Sequence, residues 1–266
     1  STEDVYKYTT MPLMDFCIEG NGGRATVFAF GQTGSGKTFT MEGIQQILVE
    51  DLFLLLAEDG GCSIDKTSVM VSFFEMYGGS IQDLLNNRNR LKILEDGKGE
   101  INVPGLTEML ADSPEALLAL LEAGNLERTT HTTEANDTSS RSHAICQIML
   151  RHNKTNKLRG KLSLVDLAGS ERGSDTKSHN AQRRGESSHI NSSLLALKEC
   201  IRALSTNNQH VPYRSSKLTL ILKDCFTSAS AMTTMIATVS PGASSADHTL
   251  NTLRYADRTK EKGKPK

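Results

Sequence analysis

A chain of 266 residues, 37% hydrophobic and 5% aromatic, is long enough for a substantial core and fits one large α/β domain better than two small ones. No apolar run approaches the roughly 18 residues of a membrane helix, and no signal-peptide core opens the sequence. The net charge of −1 hides an asymmetry: residues 1–150 hold 10 Lys+Arg against 22 Asp+Glu, and residues 151–266 hold 20 against 9. The second part therefore has the cations to meet an acidic partner, unless folding disperses them. Five cysteines without a CxxC spacing and seven histidines without HExxH argue for reduced thiols and against a zinc site.

In chain order, "ATVFAF" (Ala25–Phe30) is a short apolar run entering a glycine loop and reads as a buried strand. Ile44, Ile47, Leu48, Leu52, Leu55 and Leu56 then recur at helical spacing, and Thr67–Tyr77 reads as a long central strand. Ser113 as N-cap, Pro114 at the first helical position, Glu115 in the first turn and Gly124 as the stop define a further helix. Ser142–Arg151 and Gly160–Gly169 are strand-like. Ile190, Leu194, Leu197, Ile201 and Leu204 form one stripe of a long helix. A shorter helix follows Ser215, then a strand over Thr233–Ser240, an amphipathic helix to about Arg258, and a basic tail, 259–266, expected to be disordered. Strands alternating with helices predict a mostly parallel sheet covered on both faces.

Three stretches carry the chemistry. Gly31-Gln32-Thr33-Gly34-Ser35-Gly36-Lys37-Thr38 fits G-x-x-x-x-G-K-[ST] completely. Its glycines let backbone N–H groups turn towards phosphates, Lys37 reaches the β- and γ-phosphates, and Thr38 ligates Mg²⁺. "NDTSSRSH" (Asn136–His143) is either a sensor loop or a polar turn before a strand. "LVDLAGSE" (Leu164–Glu171) ends an apolar strand in Asp166, suited to Mg²⁺, and turns at Gly169, whose bare backbone can approach a terminal phosphate; a plain strand cap is the alternative. Together they read as a phosphate cradle with two sensors.

In order and separation these stretches resemble the P-loop, switch I and switch II of the kinesin motor domain, and "HVPYRSSKLT" (His210–Thr219) and "NTLRYADR" (Asn251–Arg258) resemble two further signatures of that family. The likeness runs from about Val5 to Arg258. It implies a P-loop NTPase with a central, mostly parallel eight-stranded sheet and three helices on each face. It also implies a motor domain over 1–258 that lacks its first strand region, and ATP or ADP with Mg²⁺ as cofactors. By the same likeness Ser140 meets Mg²⁺ and the γ-phosphate, Asp166 holds Mg²⁺ through water, and Gly169 reports on the γ-phosphate. Arg141 and Glu171 form a salt bridge that closes around ATP. Phe39 lies near adenine or packs under the loop.

"VSFFEMYGGSIQDLLN", "LKILEDGKGEINVPGL", "ERGSDT" and the triplet Lys198-Glu199-Cys200 resemble kinesin-13, the internal-motor class that disassembles microtubules at their ends. The resemblance implies tubulin as partner, with Lys198, Glu199, Cys200, Arg202, His210, Tyr213, Arg214 and Lys217 on the microtubule face. It also implies a place in the cytoplasm, on microtubules and the spindle. Neither nucleic acid nor membrane is expected as a partner, and oligomers are expected only through flanking regions. The principal alternative is an ATP-driven stepping motor; a binding module without hydrolysis and a nucleic-acid motor are the others. Some features depart from the family. The Lys-Val-Asp loop of kinesin-13 is expected upstream of Ser1. Met41–Gly43 is tighter than usual, by a deletion or by a loop outside this numbering. "SSHINSSLL" replaces the commoner residues before the long helix, although Asn191 is kept.

Overall fold

Only Arg24 escapes full burial in β1 (Gly23–Phe30), the pattern of a strand covered on both faces. The computed structural model describes all residues except 20–21, 59–65, 131–138, 172–180, 207, 209, 229 and 261–266, and within helices not the side chains of 181–184, 186–187, 205 and 259–260. The basic tail thus lies almost wholly outside the described residues. The remaining strands are β2 (Thr67–Tyr77), β3 (Ser80–Asp83), β4 (Asn89–Leu91), β5 (Leu94–Glu95), β6 (Ile101–Asn102), β7 (Met109–Ala111), β8 (His143–His152), β9 (Leu158–Asp166) and β10 (Ala231–Ala237). The helices are α1 (Thr2–Thr9), α2 (Met11–Ile18), α3 (Lys37–Glu58), α4 (Pro114–Thr130), α5 (Ala181–Ser205), α6 (Lys217–Ile221), α7 (Lys223–Thr227) and α8 (Ala246–Lys260).

The main sheet has eight strands in the order β10-β1-β9-β8-β2-β3-β4, with β7 also beside β2, while β5 and β6 form a separate ribbon. The strand number and the helix-covered α/β layering agree with expectation; the pairing is mixed rather than mostly parallel. Only β10-β1-β9 runs parallel, and every other pair in the sheet is antiparallel. The reason is connection length. The turn 153–157 between β8 and β9, and Gly78-Gly79 between β2 and β3, are too short for a crossover and close hairpins instead.

Side chains of each strand alternate between two cores. Ala25, Val27 and Ala29 pack with residues of α1 to α4, whereas Phe28 and Phe30 pack with residues of α5 to α8. The expected three helices per face gain one short helix on each. Pro12 in the first turn of α2 separates it from α1, and Leu222 separates α6 from α7. Helix α3 runs unbroken through Met41–Gly43, so this chain carries no loop there.

Gly124 does not stop α4, which continues to Thr130. A side chain at Gly124 would overlap the Phe73 ring of β2, so this glycine serves close packing of helix on sheet. The parallel register sets Ala29 against Asp166, and the antiparallel register sets Ala144 against the same aspartate. The segments after β1, after β9 and before β8 therefore meet at one edge of the sheet, the position where α/β sheets hold ligands.

Candidate nucleotide site

The phosphate loop bridges β1 and α3. Gly34 and Gly36 have φ of 76° and 92°, the left-handed region that favours glycine. Gly31 is needed for another reason: a Cβ there would run into the carbonyl and hydroxyl of Thr238. Lys37 opens α3 and is buried, its Nζ donating to the carbonyls of Gly31 (3.1 Å) and Gln32 (2.9 Å). Ser35 pairs with Thr238 (Oγ to Oγ1, 2.7 Å), and Gln32 Nε2 donates to Ser245 Oγ (2.8 Å). The loop is thus braced from β10 and the head of α8. Loop amides and the positive end of α3 make this an anion cradle.

Asp166 lies beside the loop at the end of β9. Its Oδ2 accepts from Thr38 Oγ1 (2.6 Å) and from Arg128 Nη1 (2.5 Å). Arg128 Nη2 also donates to the carbonyls of Ser139 (3.2 Å) and Ser142 (3.3 Å), so one guanidinium ties α4 to both segments flanking β8 and β9. Asp166 Oδ1 is buried and has no hydrogen-bond partner among the described residues. An orphaned carboxylate oxygen beside a threonine hydroxyl suits a hard divalent cation, so the residues present fit Mg²⁺. Glu42, close enough to be influenced by Arg128 and Asp166, has its pKa raised mainly by burial.

The two sensor segments touch each other and the loop. Gly169 N–H donates to the Ser140 carbonyl (2.9 Å), and Ser170 N–H donates to the Gly31 carbonyl (3.0 Å). A Cβ on Gly169 would strike the Thr33 hydroxyl and the Glu171 carboxylate. The expected Arg141–Glu171 bridge is not formed. Glu171 Oε2 accepts the Thr33 N–H (2.9 Å) and Oε1 accepts the Thr33 hydroxyl, which uses the carboxylate on the loop. Arg141 instead lines a cavity of about 320 Å³ with His143, Ser193, Ser215 and Lys217. Phe39 is 75% exposed and does not pack under the loop.

His143 is wholly buried, and its pKa is held down at about 3 by burial and by the charges of Arg128 and Lys37. Its Nδ1 accepts from the Ala168 N–H (3.0 Å) and its Nε2 lies 2.8 Å from Ser193 Oγ. His143 closes the "NDTSSRSH" stretch, but no role for its ring followed from the sequence. Nothing in the sequence singles out Arg128, Thr238 or Ser245 as part of the site. A cation in the last turn of α4 is ordinary dipole chemistry, and nothing local marks Arg128 as buried.

The proposed microtubule face needs correction. Cys200 is fully buried in the core beneath α5, with its thiol pushed up to about 11 by burial and by Glu199. Lys198 turns inward, its Nζ 5.7 Å from the Phe30 ring centroid and 5.6 Å from that of Tyr255. Cys200 therefore presents no contact to a partner, whereas Lys198 is half-buried and lines an open groove with Asn191, Asp247 and Arg254. Arg202, His210, Arg214 and Lys217 are exposed. Arg214 pairs with both oxygens of Glu95 (2.9 Å each), and Lys217 donates to the Gly79 carbonyl. Tyr213 is half-buried beneath Arg214 and Lys223. Of the further cations in this part of the sequence, Arg172 and Lys177 lie outside the described residues, as do the side chains of Arg183 and Arg184.

A model of the kinesin motor domain matches residues 1–262. The diatom spindle kinesin-1 of Cylindrotheca fusiformis is 64% identical over 261 residues, covering 98% of this chain and 41% of that protein. The chain therefore spans about two fifths of the length of this relative. These matches do not support the kinesin-13 assignment, and of its triplet Cys200 is buried. They do reach across the whole described sheet and both of its helical layers, and the chain belongs to the kinesin motor domain family, the microtubule-stimulated ATP hydrolases of the cytoskeleton.

Proposed function

We propose that this domain turns ATP hydrolysis into directed movement along microtubules, and that it works at the spindle, as the name of its diatom relative suggests. The observation that carries the reading is the Gly169 N–H bond to the Ser140 carbonyl, beside Lys37: the two sensor segments hold each other where a terminal phosphate would lie. On this reading Gly31–Thr38 cradle the triphosphate, and Lys37 exchanges its two carbonyl partners for phosphate oxygens. Phe39, exposed on α3, is available to the adenine ring. Thr38, Ser140 and Asp166 would hold Mg²⁺, which when bound would neutralise charge on the phosphate oxygens. Gly169 redirects its N–H to the γ-phosphate, and Glu171 leaves Thr33 for Arg141, positioning the attacking water between the switches. Such chemistry is mostly placement and charge stabilisation.

Depolymerisation is the second reading and rests on the likeness of "ERGSDT" and Glu199 to kinesin-13. Surface-held domain with stabilised, fluorescent microtubules and ATP separates the two. Steady gliding at constant filament length supports the stepping motor, and shortening from the ends without gliding replaces it by the second reading. ATP turnover indifferent to microtubules would overturn both.

A further inference from the structure

We propose that His143 is a positioning residue that passes the state of the turn after β9 to helix α5 through a one-way hydrogen-bond relay. Its ring accepts at Nδ1 from the Ala168 N–H, so the single proton of a neutral imidazole sits on Nε2 and is given to Ser193 Oγ. Ser193 in turn gives its hydroxyl proton to the Ile190 carbonyl (2.7 Å). The order is therefore set: Ala168 N–H, His143, Ser193, Ile190 carbonyl. Each donor has one acceptor.

The placement gives the chain of bonds its use. Ala168 and Gly169 are consecutive, and their N–H groups go to two different sites at the head of β8: the His143 ring and the Ser140 carbonyl. His143 itself is anchored in the sheet, paired with Met76 of β2. A change in the turn when Gly169 releases Ser140 also shifts the Ala168 amide, and a buried ring nitrogen left without its donor is unfavourable. The ring follows the turn, and Ser193 follows the ring. The groups facing it, Lys37 and Arg128, are both cationic and oppose a second proton, so the direction of the relay does not reverse near neutral pH. Ser193 lies on the same helix as exposed Arg202.

This inference rests on the reading of the domain as a microtubule-stimulated ATPase. Its test compares turnover with and without microtubules for the unaltered domain, Ser193→Ala and Ser193→Thr, with thermal melting as the folding control. Ser193→Ala should keep the basal rate and a single cooperative melt, lowered only by the loss of the acceptor for the buried His143 Nε2–H, but lose microtubule stimulation by about fivefold or more, and Ser193→Thr, which retains a hydroxyl, should recover both. Full stimulation of Ser193→Ala overturns the relay. A second measurement works without microtubules: nitrogen NMR of the His143 ring and the Ala168 amide with ADP and with a non-hydrolysable ATP analogue. A neutral Nε2–H ring whose signals move together with the Ala168 amide supports the relay. An Nδ1–H ring, or signals unmoved between the two nucleotides, overturns it. Loss of stimulation in the unaltered domain with moving signals would instead overturn the functional reading and leave the relay standing.

Discussion

Arg128 and Arg202 each sit near the end of a helix and each pair with a carboxylate, yet they do opposite work. The Arg128–Asp166 pair has side-chain exposures of 4% and 7%, and the Arg202–Glu199 pair 59% and 39%. Inside, the guanidinium has been stripped of water, and among the described residues Asp166 and the carbonyls of Ser139 and Ser142 offset that loss. Outside, water already solvates both partners, and the pair contributes little to folding. The interior arginine is committed to holding the site together. The exterior one stays at the surface beside Glu199, and two charges of the same sign differ in role through burial.

The contrast breaks most visibly at Arg128. Arg128→Ala should cost about 3–5 kcal/mol in denaturant unfolding, because Asp166 is left buried without its counter-charge; a cost below about 1 kcal/mol would show that the interior pair holds nothing. Lys37→Ala should leave the fold intact and lower ATP turnover by about 10²–10³-fold, read in a steady-state assay. Near-normal turnover would mean that the loop does not act on phosphate. A pH series sharpens the interior side. The folded His143 refuses a proton from its ordinary 6.5 down to about 3, while the unfolded chain accepts one. Stability should therefore fall as pH drops through this window, by about 1.4 kcal/mol per unit from this residue, and His143→Asn should flatten that slope. Smallest is Arg202→Ala: unfolding should change by at most about 1 kcal/mol, while microtubule affinity weakens and becomes less sensitive to salt.

The phosphate loop was legible because its eight residues are contiguous and each has a local reason. The bounds of β2 were legible too, since a long run of apolar and β-branched residues leaves little choice. What failed was information held at a distance. The part played by Gly124 is decided by Phe73 on another element, and Arg128 meets Asp166 only after folding. Strands β3 to β7 are two to four residues long, too short for any period to show. Helices α1 and α2 are hidden for a similar reason, being eight residues each and divided at Thr10. Cys200 was within reach of the sequence. It lies three residues after Leu197 and four before Leu204, both on the apolar stripe, and helical spacing alone puts it inside.

Asp166 has one further consequence. Its Oδ2 already answers to Arg128 and Thr38, while Oδ1 stands ready for a divalent ion. One carboxylate thus faces two rival cations. The guanidinium held at Oδ2 also fastens Ser139 and Ser142 through their carbonyls, so both cations would draw on the same negative charge. The end of β9 is in this way the place where one carboxylate would be shared between magnesium and the arginine that fixes the approach to β8.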